Sequence, residues 1–382
     1  MTSTTVAVVG AGPAGLAAAL ALADAGRDVA LVAPLQPPAD QRTSALLVGS
    51  VALLDRLGVW SELKSAATPL RRMRIVDGTR RLVRAPEVTF DAAEIDLPAF
   101  GYNVTNTDLV AALENAVAKR SIARIDALAD AATPGSDGIT IALATGDLLT
   151  VRLVVAADGR RSRMREAAGI AINEWSYDQA ALVCNLRHTL PHRESSTEFH
   201  TEHGPFTLVP LAGNRSSLVW VDRPEESRRR LALSDEVVAV EIEDRSASIL
   251  GAVAVEGKRQ VFPLSGMTAR RFAANRVMLV GEAGHMFPPI GAQGLNLGLR
   301  DVAALVEAIG DAADPGDAPR LAAYDRARRA DVLSCTAAVD VLNRTLLSDF
   351  LPVQALRGFG LFLLDRVPPL RQAAMRQGLA VS

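Results

Sequence analysis

The sequence predicts an α/β protein with a Rossmann-like domain, an inserted antiparallel-sheet domain and C-terminal helices. Three short apolar runs, Thr5 to Val9, Leu153 to Ala157 and Val277 to Val280, each lead into a glycine-containing turn. Runs of this length are too short for helices and are typical of strands buried in a parallel sheet. Two other segments, Thr207 to Pro210 and Ser217 to Val221, have the texture of antiparallel strands with one face in solvent.

Helix-forming segments follow these strands in the expected places. Ala14 to Ala25 is rich in strong helix formers and precedes the apolar run Asp28 to Val32, which completes a βαβ unit. A helix over 108–119 is predicted to begin after a cap at Asn106 or Thr107, and another over 296–309 leaves a glycine-rich turn. The expected boundaries are 1–70, 98–172 and 266–345 for the discontinuous first domain, 71–97 and 173–265 for the inserted domain, and 346–382 for a helical end.

The overall composition excludes several classes of protein. Apolar residues make up 49% and charged residues 22% of the 382 residues, the balance of a globular protein. A formal net charge of -2 provides no field that would recruit nucleic acid. The two cysteines and five histidines lack metal-ligand spacing, so we expect no metal site and a reducing compartment. No secretion signal is visible at the N-terminus, and we expect a cytoplasmic protein.

The first glycine motif runs from Gly10 through Gly12, Pro13 and Ala14 to Gly15, between a predicted strand and a predicted helix. In this place Gly10 permits a tight turn, Gly12 lets the backbone approach a pyrophosphate, and Gly15 lets the helix pack on the strand. The helix N-terminus adds free N–H donors. The motif therefore predicts a dinucleotide site, the alternative being a tight turn with no ligand.

An acidic residue usually ends the second strand of such a unit and binds the adenosine ribose. That position falls at about Ala33, which has no acceptor in its side chain. The ribose partner is then expected to be Gln36 or a neighbouring backbone group. We expect the dinucleotide to be held less tightly than usual.

Two more motifs follow the other buried strands. Asp158 and Gly159 follow the strand at 153–157, and Gly281-Glu282-Ala283-Gly284-His285 follows the strand at 277–280 and continues into a Pro- and Gly-rich turn. The three motifs, in this order and at these separations, resemble those of the para-hydroxybenzoate hydroxylase-like flavoprotein monooxygenases. Segments such as Arg42 with Ala45-Leu46, and Leu57 to Trp60, are most similar to the ubiquinone-biosynthesis hydroxylases within that family.

The resemblance implies FAD as the cofactor. It implies that Glu282, where the family usually has Asp, binds the ribityl chain, and that Arg42 lies beside the flavin nucleotide. It also implies that backbone N–H groups of a glycine-rich turn meet the flavin pyrimidine edge; the residues of that turn are Gly291, Gly294, Leu295 and Asn296. Flavin-facing Pro288, Pro289 and Gly291 would form a wall that excludes water, while no side chain is identified as a certain catalytic acid or base.

The implied activity is ring hydroxylation through a flavin hydroperoxide, with O2 and a transient NAD(P)H, on a phenolic substrate that carries a polyprenyl chain in the ubiquinone pathway. The reductant is expected near Asp158 and Gly159, where Arg161, Arg163 and Arg165 add positive charge, although solvent-exposed ion pairing is an equal alternative. Another phenol hydroxylase, an FAD-dependent isoprenoid reductase and a non-catalytic flavin-binding scaffold remain open.

Four residues with aromatic rings are candidates for the substrate pocket. These are Tyr102, His200, Phe206 and Trp220, for each of which a place in the core is the commoner role. We expect His285 to position the loop around it rather than to transfer protons. The segment 346–379 mixes apolar runs with arginines, which indicates packing against the first domain or contact with the inner face of a membrane or a quinone-biosynthesis complex.

Overall fold

The computed structural model describes residues 5–35, 40, 42–79, 84–288, 292–347, 360, 363 and 366–379. The strands are β1 (Val6–Val9), β2 (Val29–Val32), β3 (Thr43–Leu47), β4 (Thr68–Leu70), β5 (Arg72–Asp77), β6 (Val88–Asp91), β7 (Gly101–Thr105), β8 (Ile122–Ile125), β9 (Ala129–Pro134), β10 (Ile139–Leu143), β11 (Leu148–Val151), β12 (Leu153–Ala156), β13 (Ile172–His188), β14 (Ser195–Thr201), β15 (Gly204–Leu211), β16 (Arg215–Asp222), β17 (Val253–Ala269), β18 (Ala273–Ala274), β19 (Val277–Leu279) and β20 (His285–Met286).

The helices are α1 (Pro13–Asp24), α2 (Val48–Arg56), α3 (Trp60–Leu63), α4 (Asn106–Ala118), α5 (Arg163–Ala167), α6 (Pro224–Ala232), α7 (Asp235–Arg245), α8 (Gln293–Ile309), α9 (Ala318–Leu347) and α10 (Pro368–Leu379). Short 3-10 helices lie at Ala92–Ile95 and Gly281–Ala283. The cap of α4 is Thr105, whose hydroxyl accepts from Asp108 N at 3.1 Å, so the predicted cap at Asn106 or Thr107 was one or two residues late. Similarly, α8 begins three residues before the predicted start.

The first sheet has six strands in the order β18-β19-β12-β1-β2-β8. All neighbours except the β18-β19 hairpin are parallel, as predicted for the three apolar runs. Every residue of β1, β2, β12 and β19 is buried, because α1, α4 and α8 cover one face of the sheet and the small β9-β10-β11 sheet and α5 contribute to the other. Helix α8 approaches the end of β19 closely, since a Cβ on Gly298 would lie 3.2 Å from Gly281 Cα.

The second large sheet has eight strands in the order β20-β17-β13-β16-β15-β14-β5-β6. The predicted segments at 207–210 and 217–221 belong to β15 and β16, which pair antiparallel. The β14-β5 pair is parallel, and its two strands come from distant parts of the sequence. One face of this sheet packs under α7 around Leu182, Phe206 and Trp220. The division of the chain into the predicted domains stays a prediction.

The last described helix, α10, packs on the 3-10 helix at 92–95. Arg371 donates two hydrogen bonds to Glu94, from Nε to Oε2 at 2.5 Å and from Nη2 to Oε1 at 2.7 Å. Its guanidinium also lies 4.8 Å from the centre of the Phe90 ring. Met375 is buried among Ala92, Ile95 and Phe100. Within the described part of the chain, no helix combines the length and hydropathy that crossing a bilayer requires.

Candidate active site

The three glycine motifs meet at one edge of the six-stranded sheet. Strands β19, β12 and β1 are neighbours and run parallel, so their carboxyl ends, and the turns that follow, lie side by side. Gly10 has φ +110°, and a Cβ there would come within 2.2 Å of the Ala157 carbonyl oxygen. The first turn therefore packs directly on the second, a contact that only glycine permits.

The next two glycines of the first motif have different surroundings. A Cβ on Gly15 would lie 2.1 Å from the Gly10 carbonyl oxygen, which explains why α1 begins so close to β1. Gly12 is the N-cap of α1, and a Cβ there would meet nothing within 4 Å. No side chain caps this helix and its first turn carries no acid. Free N–H groups at a helix N-terminus facing open space are suited to an anionic group such as a pyrophosphate.

The second motif is held within its own turn. The Asp158 carboxylate accepts from Met164 N at 3.2 Å, and burial raises the pKa of Asp158. Gly159 has φ +80° and, like Gly12, would place a Cβ in open space. Both residues thus lie at the expected edge, with Asp158 partnered by the start of α5 and Gly159 facing outward.

Arg165 joins the second motif to the third, a role that sequence reasoning missed. Its guanidinium is buried and donates to the Ala283 carbonyl at 2.9 Å and to the Arg160 carbonyl at 3.0 Å. Arg163 forms an exposed ion pair with Asp130, and Arg161 is exposed. Of the three arginines expected to supply positive charge for NAD(P)H, Arg165 is therefore a structural residue. It stands in the charged stretch Arg160 to Glu166, and nothing in that stretch signals that Arg165 would bind the carbonyl group of the distant Ala283.

Asp301, on α8, fixes the backbone of the third motif. Its Oδ2 accepts from Gly281 N at 2.8 Å and from His285 Nε2 at 2.7 Å, and its Oδ1 accepts from Arg328 Nε of α9 at 2.6 Å. Burial alone would raise the pKa of Asp301, but His285, Arg328 and the Gly281 N–H together hold it below its ordinary value. One fully buried carboxylate thus ties the end of β19 to two helices.

The hydrogen-bond partner of His285 differs from the expected one, and its positional role stays a prediction. The ring binds the Asp301 carboxylate instead of loop backbone groups, and it stacks on Phe287 with ring centroids 5.6 Å apart. Residues 285–286 form β20, whose pairing with β17 makes this motif the edge of the eight-stranded sheet. The third motif therefore connects the two large sheets, because the chain passes through it from β19 of the first to β20 of the second.

Arg42 lies where the two sheets approach each other. Hydrogen bonding to Asp40 raises the pKa of the Arg42 guanidinium, and the nearby charge of Glu282 contributes to the rise. The guanidinium also lies 5.4 Å from the centre of the Phe262 ring on β17. Glu282 itself is exposed, so its carboxylate extends from the edge of the sheet into the space beside Arg42.

The N-terminus of α8 forms the next wall. Its N-cap, Ala292, has φ 54°, and no side chain caps the helix. Gly294 lies in open space in the first turn, followed by the half-buried Leu295. Asn296 is buried, and its amide accepts from Leu47 N and Ser50 Oγ and donates to the Ala45 and Ala292 carbonyls. These contacts orient the helix start.

Residues 3–338 match the model of a known protein family, which is described as the FAD binding domain. The chain belongs to this family of FAD-dependent monooxygenases. A ubiquinone hydroxylase, UbiL, of Rhodospirillum rubrum is 36% identical over 98% of this chain and 89% of its own length. A 3-demethoxyubiquinol 3-hydroxylase of Escherichia coli is 31% identical over 99% of both chains.

Solved structures show the same fold. A p-nitrophenol 4-monooxygenase, PnpA, of Pseudomonas putida superposes with a TM-score of 0.79 at 20% identity, covering 99% of this chain and 97% of that one. Klebsiella pneumoniae HpxO, in complex with FAD and uric acid, superposes with a TM-score of 0.79 at 18% identity, covering 98% and 97%. The expected family, fold class and cofactor are confirmed: FAD is the cofactor, and NAD(P)H is the typical reductant of the family.

The residues of this monooxygenase fit FAD on structural grounds. Added Cβ atoms at Gly12, Gly159 and Gly294 would all meet open space, although these glycines come from three different motifs. Two uncapped helix N-termini, those of α1 and α8, suit the pyrophosphate and the electron-rich pyrimidine edge respectively. Pro288 is buried, whereas Pro289 and Gly291 lie outside the described residues.

The four candidate substrate-pocket residues lie in different places. Phe206 and Trp220 belong to the apolar core under α7, in edge-to-face contact at 5.1 Å, on the sheet face away from Arg42. Tyr102 packs against Trp60 at 4.9 Å. His200 shares a face with Thr207 and Val219 but is buried against Glu198, with Nε2 and Oε1 2.9 Å apart.

The sheet face that looks toward the cofactor edge presents a residue that the sequence did not single out. Phe262 pairs across the sheet with Ala181, which pairs with Val221, so the three share one face. Thr43 of β3 binds Ser217 on this same face at 2.9 Å. Phe262 is 36% exposed beneath Arg42, although phenylalanine is a residue type that is usually buried. A single phenylalanine in an alternating strand carries no sequence signal for this role.

Proposed function

We propose that this monooxygenase hydroxylates the ring of a polyprenylated phenol in ubiquinone biosynthesis, using NAD(P)H and O2. Two relatives that align over nearly the whole chain are a ubiquinone hydroxylase and a 3-demethoxyubiquinol 3-hydroxylase. The observation that carries the proposal is the bridge made by the third motif, which brings the cofactor edge against an apolar sheet face. That arrangement suits a hydrophobic aromatic ring held beside a flavin.

Bound FAD supplies the activation of O2 and the transfer of one oxygen atom to the ring. The chain's own part is to bind, orient and exclude water. Gly294 and Leu295, in the first turn of α8, offer N–H groups that stabilise negative charge at the pyrimidine edge. Glu282 offers acceptor oxygens to the ribityl hydroxyls, and Pro288 forms a wall without an N–H donor.

Substrate recognition is proposed to rest on the face that includes Ala181, Val221 and Phe262. These side chains provide apolar surface and one exposed aromatic ring, which fits an aromatic ring with a hydrocarbon chain. The reductant is proposed to approach the second motif. Of the three arginines near this motif, Arg165 is buried and Arg163 pairs with Asp130. The exposed Arg161 is therefore the one proposed to contact the reductant.

The test is a turnover measurement on the FAD-loaded protein with NADPH, isotopically labelled O2 and a short-chain prenylated phenol. The proposal predicts equal consumption of NADPH and O2 and one labelled oxygen atom in the ring. A saturated prenyl chain without labelled oxygen would identify an isoprenoid reductase instead. Complete absence of phenol-dependent NADPH oxidation would favour a scaffold.

A matched pair of variants tests the proposed pocket. Phe262→Ala removes the exposed ring beneath Arg42, and loss of one aromatic contact worth about 1.4 kcal/mol predicts a roughly tenfold rise in KM for the phenol. Leu148→Ala removes a more exposed apolar side chain from β11, in the separate small sheet, and should leave KM unchanged. Equal KM values for both variants would contradict the assignment.

We further propose that the outer face of α10 contacts an anionic membrane that holds the prenylated substrate. One side of this helix contacts Glu94 and carries the buried Met375, while Leu370 is 46% exposed and Val367, the residue before the helix, is 39% exposed. Arg376 is also exposed and favours an anionic surface. Replacing Val367 and Leu370 by Asp should reduce co-sedimentation with vesicles containing anionic lipid; unchanged co-sedimentation would contradict the proposal.

A further inference from the structure

The partner of the adenosine ribose is the one part of the FAD site that the motifs leave unassigned. Ala33 follows β2 at the position where an acidic residue usually binds the ribose hydroxyls. Its methyl side chain is 5% exposed and has no hydrogen-bonding atom. Gln36, the alternative predicted from the sequence, lies outside the described residues.

A carboxylate stands one strand away at the same edge. Strand β8 runs parallel to β2 with Ile125 opposite Val32, and Ala33 N donates to the Ile125 carbonyl at 3.1 Å. Asp126 is therefore the first residue beyond β8, directly beside Ala33. Its side chain is exposed, and its Oδ1 accepts from Leu35 N at 2.9 Å, so the carboxylate is held against the segment that follows β2.

The position of Asp126 matches the reach of the nucleotide. Strands lie about 4.8 Å apart, so Asp126, two strands from β1, is roughly 10 Å from the Gly10 turn. The adenosine half of FAD must extend from the pyrophosphate across the end of β2, in the direction of β8. A residue at the end of β8 can therefore face the ribose.

Other acidic residues near this edge are already engaged. Asp40 binds Arg42 and Asn106, and Asp130 pairs with Arg163. Asp158 accepts from Met164 N through one carboxylate oxygen, and it follows β12, on the side of β1 away from β2 and β8. Asp126 Oδ2, by contrast, contacts no donor among the residues that the structure describes. Asp126 therefore has an exposed carboxylate oxygen that can accept further hydrogen bonds, beside the position of Ala33 where the usual acid is absent.

We infer that Asp126 binds the adenosine ribose hydroxyls of FAD in place of the acid that is absent at Ala33. The hydroxyls donate to the carboxylate, and a charged acceptor makes such hydrogen bonds stronger than neutral ones. The inference rests on FAD binding by this family and is independent of the proposed phenolic substrate.

Flavin titration of the apoprotein tests the inference without turnover. Asp126→Ala should weaken FAD binding about tenfold, a loss of about 1.4 kcal/mol. FMN lacks the adenosine half, so its dissociation constant should stay within about twofold of the wild-type value. Asp126→Asn keeps an oxygen acceptor for Leu35 N but loses the charge, so its FAD affinity should fall between those of the wild type and Asp126→Ala.

Two controls separate ribose binding from a purely structural role. The thermal midpoint of apo Asp126→Asn should equal that of the wild type, because the bond to Leu35 N is retained. Asp147→Ala, which removes an exposed acid from the β10-β11 turn, should bind FAD normally. Unchanged FAD affinity in Asp126→Ala, or an equal loss of FAD and FMN affinity, would overturn the inference. Either result leaves the hydroxylase proposal untouched.

Discussion

Replacing Asp301 by Asn should destabilise the third motif more than any nearby loss of an exposed charge. The carboxylate accepts three hydrogen bonds, from Gly281 N, His285 Nε2 and Arg328 Nε. An asparagine has one acceptor oxygen, so its amide N–H groups would face donors that currently face oxygen. Arg328, which is 4% exposed, would lose its fully buried counter-charge.

The expected magnitude follows from the neighbours that remain. Breaking a buried ion pair costs about 3–5 kcal/mol, and Arg328 keeps a second partner in Asp331 at 2.7 Å, which favours the lower end of that range. For 382 residues the entropy of unfolding is about 0.8 kcal/mol/K, so a loss of about 3 kcal/mol lowers the thermal midpoint by about 4 °C. Asp331→Asn is the matched control, because Asp331 is partly exposed; it should cost about 1 kcal/mol.

The pH dependence supplies an independent check of the same prediction. The pKa of Asp301 is held below its ordinary value in the folded protein, so its stabilising contribution is present above the unfolded value of about 3.9 and is lost as the pH falls through the folded value. The difference between wild type and Asp301→Asn, measured by thermal unfolding at several pH values, should therefore shrink in acid. A midpoint for Asp301→Asn at neutral pH equal to that of Asp331→Asn would refute the reasoning.

Three further changes have distinct expected outcomes. Gly12→Ala should leave the thermal midpoint of the apoprotein unchanged and weaken FAD binding, whereas Gly10→Ala should lower the midpoint itself; the opposite pattern would contradict the assigned surroundings. Arg165→Met removes two hydrogen bonds to carbonyl groups and should lower the free energy of unfolding by about 3 kcal/mol in urea, with a loss below 1 kcal/mol counting against its bridging role. Burial raises the pKa of Cys184 to about 12, so a thiol reagent at pH 8 should not label Cys184 until the protein unfolds, and rapid labelling of the native protein would contradict its burial.

The parts of the fold and site that could be predicted are those specified by local sequence. Buried parallel strands have continuous apolar runs, and the turn after β1 needs glycine because backbone groups approach closely, whereas Gly159 and Gly281 after β12 and β19 adopt positive φ. Parallel neighbours place their carboxyl ends together, so three motifs distant in sequence could be assigned to one edge.

The parts that could not be predicted depend on partners that folding alone brings together. Asp301, Arg165 and Arg328 act through groups far along the chain, and no local pattern identifies those groups. Phe206 and Trp220 show the limit in strands, since alternation gives two faces without saying which one looks toward the flavin. That choice depends on the packing of α7 against the other face.

The most direct test of the central claim is the stoichiometry and specificity of flavin binding to the purified chain. Three turns gripping one extended nucleotide predict one FAD per polypeptide, bound more tightly than FMN because the α1 turn holds the pyrophosphate. A folded protein that takes up no FAD, or that binds FMN equally well, would contradict the account.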